Sequence, residues 1–323
     1  MREARAFWTV DPGRGEIRVE DLPRPGPGEV LIRSLVSAVS RGTESLVFRG
    51  QVPEGEYRRM RCPFQAGDFP FPVKYGYGSV GIVEDGLADR IGERVFCLHP
   101  HQDRYIVPTD RALPVPPGLP DRRAALAANM ETAVNGLWDA APGPGDRVAV
   151  IGAGVIGSLV GALAARIPGV DVELIDIDPG RADLACRLGC RFAIPQAARG
   201  EVDVAIHASG NPDGLALALS LAGQEATIVE MSWYGKVIVP LPLGGAFHAR
   251  RLTLRSSQVG AVPSGRATRW SHRRRLALAL DLLRDPAFDM LLSGDAPFAD
   301  LPDLMPRLAQ PGSGALCHTL HYS

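Results

Sequence analysis

Three glycines near the middle of the chain, Gly152, Gly154 and Gly157, constrain the fold more than any other feature. They follow an apolar run at residues 148–151 and open a second apolar stretch that has the pattern of a helix. A Gly-x-Gly-x-x-Gly pattern alone is weak, but one that leaves a strand and enters a helix is typical of a turn that binds a diphosphate. The first glycine permits the turn, the second lets a ligand approach the backbone, and the third lets helix and strand pack closely.

A carboxylate after the next predicted strand makes the pattern more specific. Asp176 lies 19 residues after Gly157, where an acid accepts hydrogen bonds from the ribose hydroxyls of NAD and would repel the 2′-phosphate of NADP. Arg181 argues in the other direction, because its guanidinium could reach a phosphate. We therefore predict NAD as the cofactor, with NADP less favoured. The predicted binding residues are Gly152, Gly154, Val155, Ile156, Gly157, Asp176 and Arg181.

Two halves of the chain differ in their pattern. Up to about residue 118, short apolar runs alternate with Gly and Pro turns, which predicts a β-rich domain. The proline-rich residues 113–120 predict a boundary, because repeated prolines interrupt both helices and sheets. From residue 119 to 257, strand-like and helix-like stretches alternate, which indicates a parallel sheet with right-handed crossovers. The sequence therefore predicts an α/β fold with a Rossmann doubly wound parallel sheet.

Bulk properties exclude several classes of protein. The formal net charge is −1, with 46% hydrophobic and 22% charged residues, so nothing global indicates a nucleic acid or an anionic membrane as partner. Glycines break the longest apolar stretch, so no segment supplies the ~18 to 20 apolar residues that cross a bilayer. The five cysteines are scattered and odd in number, which favours reduced thiols over a secreted disulfide framework. We expect a soluble, cytoplasmic protein, and we interpret Arg273–Arg275 as the start of a solvated helix.

Motifs along nearly the whole chain resemble the medium-chain dehydrogenase/reductase superfamily, the relatives of the zinc alcohol dehydrogenases. They are PGPGEVLI at residues 25–32, GYGSVGIV at 76–83, GERV at 92–95 and PGPGDRV at 142–148. The resemblance implies a GroES-like catalytic domain at residues 1–118 and a return to it by residues 258–323. Within the superfamily, the chain looks closest to the group around bacteriochlorophyllide 2-hydroxyethyl dehydrogenase. That similarity is carried by SRGTE at 40–44, KYGYG at 74–78 and HPHQ at 99–102.

The positions that hold catalytic zinc in this superfamily carry other residues here. Arg41 stands at the first Cys, Tyr77 at the His of a Gly-His-Glu motif, and Ala128 at the last Cys. A zinc site needs about four converging N, S or O ligands, and an arginine would repel the cation. We therefore predict no zinc. His99 and His101 remain a weaker candidate pair for a metal ion, since two histidines in one loop are more often hydrogen-bonding groups.

Hydride transfer to a ketone leaves an alkoxide, which a positioned O–H, N–H or cation must neutralise when no metal is bound. The resemblance places Thr43 at the proton-relay hydroxyl and Tyr77 where a zinc ligand faces the nicotinamide. Tyr77 is our first candidate for the proton donor, and a nearby Lys74 or Arg41 would lower its pKa from ~10. The alternative is an aromatic ring that only fills space. His101 is the second candidate, because imidazole titrates near neutrality.

Four further residues complete the predicted site. Glu131 is a general base if it is desolvated, and otherwise a helix cap or a surface acid. Glu44 is interpreted as structural, in a pair with Arg41. The resemblance also implies that Ser209 and Gly210 line the nicotinamide pocket through backbone contacts.

Three functions remain open. The leading hypothesis is a zinc-independent oxidoreductase that transfers a hydride between NAD(H) and a secondary alcohol or ketone, with a small molecule as substrate. The second is an NAD(P)H-dependent quinone or enone reductase, which the carboxylate of Asp176 disfavours because such relatives usually prefer NADPH. The third is a non-catalytic nucleotide-binding regulator. The resemblance also implies a homodimer joined through edge strands of the Rossmann sheets, for which residues 252–259 are the candidate segment.

Overall fold

The computed structural model of the chain describes residues 2–310 and 312–322. The strands are β1 (Arg2–Asp11), β2 (Arg14–Leu22), β3 (Glu29–Val39), β4 (Ala66–Gly67), β5 (Val73–Lys74), β6 (Ser79–Asp85), β7 (Arg94–Cys97), β8 (Arg104–Pro108), β9 (Leu113–Pro114), β10 (Arg147–Ile151), β11 (Asp171–Ile175), β12 (Arg191–Ala193), β13 (Val202–His207), β14 (Ala222–Glu230), β15 (Thr253–Ser256), β16 (Leu292–Pro297) and β17 (Cys317–His321). The α-helices are α1 (Arg41–Phe48), α2 (Asp121–Ala124), α3 (Ala127–Ala140), α4 (Val155–Ala164), α5 (Ala182–Arg187), α6 (Pro212–Leu221), α7 (Ser264–Ala267), α8 (His272–Leu282) and α9 (Leu301–Leu308).

The chain forms two compact units, one of Met1–Ala128 with Leu280–Ser323 and one of Asn129–Ala279. The first division follows α2, whose residue Asp121 pairs with Arg94 on β7. Arg94 also donates to the carbonyl of Leu119, so residues 119–121 are bonded to the β-rich unit. Composition placed the domain boundaries at 118/119 and 257/258, whereas packing divides the chain at 128/129 and 279/280.

The Asn129–Ala279 unit is a six-stranded parallel sheet in the order β12-β11-β10-β13-β14-β15. Its central strands are apolar runs with both faces buried, as parallel strands covered by helices require. The order reverses between β10 and β13, because β10 leads through α4 to β11 on one side and β13 leads through α6 to β14 on the other. The predicted Rossmann doubly wound sheet is confirmed.

The other unit is built from two sheets whose strands pair antiparallel, except for β16 and β17. A four-stranded sheet has the order β2-β1-β5-β4, and a seven-stranded one has the order β16-β17-β3-β6-β7-β9, with β8 paired to β3. The C-terminal strand β17 pairs antiparallel with β3, and β16 pairs parallel with β17. Strands β16 and β17 therefore complete a sheet whose other strands lie between residues 29 and 114. This β-rich unit agrees with the predicted GroES-like domain.

No helix within residues 2–310 and 312–322 has the length and apolar character needed to span a membrane.

Candidate active site

The glycine turn, residues 152–157, joins β10 to α4. Gly152 has φ +106°, and a Cβ there would lie 2.7 Å from the backbone of Ser209. At Gly157 a Cβ would lie 1.8 Å from the carbonyl oxygen of Gly152. Side chains are therefore excluded at both positions, one by conformation and space and the other by the close approach of helix and turn. At Gly154, by contrast, a Cβ would meet no atom within 4 Å, so open space lies over the turn.

The first turn of α4 faces the same space. Gly154, Val155 and Ile156 are partly exposed, and Val155 is the first helical residue. The first N–H groups of a helix have no partner within the helix and carry partial positive charge. These amides can hold an anion such as a diphosphate.

The carboxylate of Asp176 lies against the glycine turn. Its Oδ2 accepts from the amide of Ala153 at 2.6 Å, and its Oδ1 accepts from the amide of Asp178 at 2.9 Å. Arg181, the residue that could have recruited a phosphate, pairs through Nε with Asp178 Oδ2 at 3.3 Å. The acid beside the turn therefore remains available to sugar hydroxyls, while Asp178 holds the nearby arginine.

Ser209 and Gly210 follow β13 on the other side of the crevice. Ser209 is exposed, and its Oγ lies 2.6 Å from Nε2 of the buried His207. The amide of Gly210 donates to Ser232 Oγ at 3.1 Å. Ser209 and Gly210 thus lie at the carboxyl edge of the sheet, and the backbone of Ser209 adjoins Gly152.

A hydroxyl cluster, formed by Ser40, Thr43 and Tyr77, lies in the β-rich unit. The hydroxyls of Ser40 and Thr43 lie near that of Tyr77 and favour its charged form. Burial and the nearby carboxylate of Glu44 raise the pKa of Tyr77 above its ordinary value, against a smaller opposing effect of these two hydroxyls. The predicted lowering of this pKa is therefore wrong. One reason is that Lys74 is engaged elsewhere.

Lys74 makes its own ion pair away from the tyrosine. Its ammonium lies 2.7 Å from Glu20 Oε2 and 2.8 Å from Gln102 Oε1. With its charge so neutralised, the lysine offers little stabilisation to a phenolate. Tyr77 is consequently a phenol that keeps its proton, which suits a hydrogen-bond donor better than a base.

The His101 network, formed by Ser37, Glu44, His101 and Tyr322, is buried in the same unit. His101 Nε2 lies 2.9 Å from Glu44 Oε2, and its Nδ1 lies 2.8 Å from Ser37 Oγ. Ser37 Oγ is also 2.8 Å from the Tyr322 hydroxyl, and the other oxygen of Glu44 accepts from the amide of Ser40 at 2.6 Å. Both nitrogens of His101 therefore have partners within the protein.

His99, the other histidine of the loop, is held differently. Its ring stacks on Tyr105 at a centroid distance of 3.7 Å, and its Nδ1 lies 3.0 Å from the carbonyl of Pro100. Burial lowers the pKa of His99 to about 3, so the ring is neutral. His99 and His101 are therefore bonded to different partners.

Glu131 belongs to α3 of the other unit and is buried. Its Oε1 lies 3.0 Å from Nε of Arg275, which is 1% exposed and also binds the side chain of Asn135. Burial raises the pKa of Glu131, while Arg275 and His272 oppose this rise. The interpretation of Arg275 as part of a solvated helix start is therefore wrong. Glu131 belongs to the Asn129–Ala279 unit, whereas Tyr77, Thr43 and His101 belong to the other unit.

Comparisons with known proteins agree with this architecture. No family model matches the chain. The chain is 31% identical over 252 residues to an L-threonine 3-dehydrogenase of Rhizobium etli. The aligned residues cover 66% of this chain and 68% of that protein. It is 29% identical over 164 residues to 2-desacetyl-2-hydroxyethyl bacteriochlorophyllide A dehydrogenase of Cereibacter sphaeroides, 44% of this chain and 46% of that protein. The solved 2R,3R-butanediol dehydrogenase of Bacillus subtilis has a TM-score of 0.77 at 18% identity, over 98% of this chain and 99% of that chain.

The chain belongs to the medium-chain dehydrogenase/reductase superfamily. The resemblance carried by the sequence motifs is thereby confirmed, as is an oxidoreductase that depends on a nicotinamide cofactor.

The residues of this superfamily member do not fit a zinc ion. The resemblance maps the zinc ligands onto Arg41, Tyr77 and Ala128, none of which supplies a usual zinc donor. The nearby donors Glu44 and His101 are bonded to each other. Within residues 2–310 and 312–322, no group of three or more His, Cys, Asp or Glu side chains is placed to hold a metal ion.

Sequence reasoning missed the partners of the predicted residues. The contact between Glu44 and His101 joins residues 57 apart, and the contact between Ser37 and Tyr322 joins residues 285 apart. No local motif signals such pairs. The one usable signal is Gly76, where a Cβ would lie 3.1 Å from the His101 ring, so a glycine before Tyr77 marks a close approach.

Proposed function

We propose that this medium-chain dehydrogenase/reductase transfers a hydride between NAD(H) and a secondary alcohol or ketone without zinc, with Tyr77 as the proton donor. The relatives named above are dehydrogenases of L-threonine, of a hydroxyethyl bacteriochlorophyllide and of butanediol, and we carry alcohol oxidation from those names to this chain. The observation that carries the proposal is that one unit of the chain holds a glycine turn with an acid of the NAD type and the other holds a hydroxyl cluster where the resemblance places zinc ligands.

The preference for NAD rests on Asp176. Its carboxylate is fixed beside the glycine turn by the amide of Ala153, where it accepts hydrogen bonds from ribose hydroxyls. A 2′-phosphate at this place would meet the carboxylate, while Arg181 is held by Asp178. The open space over Gly154 and the amides of the first turn of α4 supply a cradle for the diphosphate.

The metal-free chemistry rests on Tyr77 and its neighbours. The nicotinamide supplies or accepts the hydride at the substrate carbon. In reduction, the Tyr77 hydroxyl gives its proton to the oxygen of the developing alkoxide. Because the pKa of Tyr77 is raised, its phenolate is strongly basic and takes up a proton again from solvent, with the hydroxyls of Thr43 and Ser40 as the relay. In oxidation, the proton of the alcohol passes to the Tyr77 oxygen while the proton of Tyr77 leaves through the same two hydroxyls to solvent, so no free phenolate is required.

Glu44 and His101 support the hydroxyl cluster from behind. Glu44 accepts from the amide of Ser40, so it fixes the first turn of α1, which also carries Thr43. His101 anchors the second oxygen of that carboxylate. Both are positioning residues in this proposal, and Glu131 is a structural acid paired with Arg275.

The experiment that tests the proposal combines three measurements on one preparation. Fluorescence titration with NADH and NADPH measures cofactor affinity, elemental analysis measures bound metal, and absorbance at the NADH band follows secondary alcohols, ketones, enones and quinones. We expect tighter binding of NADH than of NADPH, and alcohol or ketone turnover that a chelator leaves unchanged. Chelator-sensitive activity with stoichiometric zinc would overturn the metal-free mechanism. Turnover of enones or quinones alone would replace it with alkene or quinone reduction, and cofactor binding without any turnover would indicate a regulator.

We also propose a homodimer. The edge strand β15 pairs with β14 on one side only, within the sheet as the structure describes it. Such an edge can pair with a second copy. Light scattering after size-exclusion chromatography tests this, and a mass of one chain would refute it.

A further inference from the structure

A basic segment follows the last strand of the parallel sheet. Residues 257–280 contain five arginines and no aspartate or glutamate. One of the five, Arg275, is buried against Glu131, so its charge is neutralised inside the unit. Arg266, Arg269 and Arg274 are exposed. Because an arginine stays protonated in proteins, these three place positive charge on the surface of the Asn129–Ala279 unit.

Two tryptophans hold arginines of this segment in place. The guanidinium carbon of Arg274 lies 4.0 Å from the centre of the Trp270 ring, and that of Arg266 lies 5.3 Å from the centre of the Trp138 ring. The centres of the two tryptophan rings are 4.9 Å apart. An indole face attracts a guanidinium and so restricts its motion. We call Arg266, Arg269, Arg274, Trp138 and Trp270 the arginine–tryptophan patch.

Hydrogen bonds fix the segment that carries the patch. Arg275 donates to the carbonyl of Val259 at 2.5 Å and to that of Ala261 at 3.5 Å. His272 Nε2 lies 3.1 Å from the carbonyl oxygen of Gly260. The start of α8 is thus tied to the residues that follow β15, and the loop between them is closed at its base. A surface ordered in this way loses less conformational entropy when a ligand binds.

The exposed arginines keep most of their hydrogen-bond donors available. A guanidinium carries five N–H groups. In the part of the chain that the structure describes, the Arg274 side chain donates to the carbonyl of Arg269 at 2.6 Å, and the Arg269 side chain donates to that of Gly265 at 3.4 Å. The side-chain partner of Arg266 in that part is the Trp138 ring. Charged donors that bond to rings and carbonyls are suited to receive an oxyanion from outside.

The acids that lie nearest in the sequence are engaged elsewhere. Asp139 follows Trp138 in α3, but it is buried and pairs with Arg255 at 3.1 Å. Asp281, the first acid after the basic segment, pairs with Arg284 at 2.7 Å. The positive charge of the patch is therefore not neutralised by its sequence neighbours.

The arrangement favours a small anion over a nucleic acid. Proteins that bind single strands offer aromatic faces on which bases stack. Here, each tryptophan ring of the patch already has a guanidinium over it. The net charge of −1 also lacks the positive excess that is typical of nucleic-acid binding. A few guanidinium groups are sufficient for one phosphate or carboxylate, which they bind through paired N–H groups.

We propose that the arginine–tryptophan patch binds an oxyanion group, a phosphate or a carboxylate, of a small-molecule ligand. The segment follows β15 at the carboxyl edge of the parallel sheet, the edge at which α/β proteins bind their ligands. The oxyanion belongs either to the substrate or to a separate effector. The site stands without the proposed function, and its use for the substrate rests on that function.

Tryptophan fluorescence tests the site, since two of the four tryptophans of the chain belong to the patch. Inorganic phosphate is titrated at constant ionic strength into the protein with and without saturating NAD⁺. We expect a saturable change in emission under both conditions, which Trp270→Phe reduces. Phosphate should bind about three- to tenfold more weakly to Arg274→Gln and to Arg266→Gln, because each loses one charged partner at an exposed place.

Arg187→Gln is the matched control. Arg187 is an exposed arginine of the same unit that pairs with Asp183 at 3.0 Å, and its loss should leave phosphate binding unchanged. Equal weakening in all three glutamine variants would mean that net charge alone matters and would overturn the inference. Phosphate binding that NAD⁺ abolishes would place the ion on the glycine turn instead, with the same consequence. Failure to bind NAD⁺, with phosphate bound at the patch, would overturn the proposed function alone.

Two further measurements identify the carrier of the oxyanion. If phosphate raises KM for the alcohol or ketone and leaves kcat unchanged, the oxyanion belongs to the substrate. If phosphate changes kcat, the oxyanion belongs to an effector. In either case Arg274→Gln should weaken the effect of phosphate. Binding of a hexaglutamate peptide or a DNA oligonucleotide without binding of phosphate would show a docking surface for a macromolecule and would refute the small-molecule site.

Discussion

Around Gly152, glycines without side chains leave space for a ligand, whereas around Glu44, hydrogen-bonded side chains fill the interior. The glycine turn consists of neighbouring residues, and its shape follows from a positive φ and two close backbone contacts. The His101 network joins β3, α1, the loop before β8 and the residue after β17, and its shape follows from side-chain hydrogen bonds. In the function proposed above, cofactor binding therefore depends on the backbone and tolerates little change, while the chemistry depends on side chains that can be exchanged singly.

The largest expected effect tests the side-chain region. Tyr77→Phe removes the proton donor and should lower kcat by about 10²- to 10⁴-fold, the usual contribution of general acid catalysis. NADH affinity should not change, because the cofactor cradle belongs to the backbone-dependent region. Since the pKa of Tyr77 is raised, wild-type activity should not fall through tyrosine ionisation as the pH rises to about 10.

Tyr75→Phe is the control for this variant. Tyr75 is a buried neighbour whose ring lies 6.0 Å from that of Tyr77, and its hydroxyl donates to the carbonyl of Met60 at 3.5 Å. Steady-state kinetics should show near-normal kcat for Tyr75→Phe. An equal loss in both variants would mean that Tyr77 matters through packing alone.

The same contrast explains what the sequence could predict. Gly152, Gly157 and Asp176 lie within 25 residues, so spacing alone predicts the turn and its acid. The parallel sheet follows from the alternation of apolar runs, because each β-α unit is local. Glu44 and His101 meet only because antiparallel strands bring distant segments together, and no residue pattern records that pairing.

Arg275 shows the same limit for charge. In the sequence it is one of three arginines in a row, which indicates a solvated face. In the structure it is buried against Glu131, and its guanidinium also donates to the carbonyl of Val259 at 2.5 Å. Composition does not reveal which member of a charged run points inward.

The second prediction measures the effect of this burial. Arg275→Met leaves Glu131 without its cation and should lower the free energy of unfolding by about 3–5 kcal/mol at pH 7. The exposed pair of Arg187 and Asp183, 3.0 Å apart, is the control, and Arg187→Met should cost less than about 1 kcal/mol. Denaturant unfolding checks both values. Similar losses in the two variants would contradict a special role for the buried pair.

The pH dependence sharpens this prediction. The pKa of Glu131 is already raised in the folded protein, so the folded state binds this proton more tightly than the unfolded state. Its contribution to stability is therefore full below the unfolded pKa and is lost as pH rises through the folded pKa. Loss of Arg275 raises the folded pKa further, so the destabilisation by Arg275→Met should shrink between pH 7 and pH 5. If the free energy of unfolding lost in Arg275→Met did not depend on pH, Glu131 would not be the group that loses its partner in this variant.

The third prediction tests the backbone region with two glycines. Gly157→Ala places a Cβ 1.8 Å from the Gly152 carbonyl oxygen, so α4 must move away from the turn. We expect a loss of about 1–3 kcal/mol of stability together with weaker NADH binding. Gly154→Ala meets no protein atom within 4 Å and should leave the melting temperature unchanged while lowering NADH affinity. Unchanged NADH affinity in Gly154→Ala would mean that the diphosphate does not use this cradle.

The smallest expected effect concerns the choice of cofactor, the one property of the backbone region that a side chain decides. Asp176→Asn removes the charge but keeps an acceptor for the Ala153 amide, so the turn should stay folded. NADH affinity should fall roughly tenfold, because a charged acceptor for the ribose becomes a neutral one, and NADPH should gain relative to NADH. Asp178→Asn is the control, since its carboxylate caps Gly180 and holds Arg181 rather than a ribose. Titration of both variants with NADH and NADPH measures the ratio of the two affinities. If only Asp178→Asn changes this ratio, the release of Arg181 governs cofactor choice. The selectivity would then belong to Asp178 and not to Asp176.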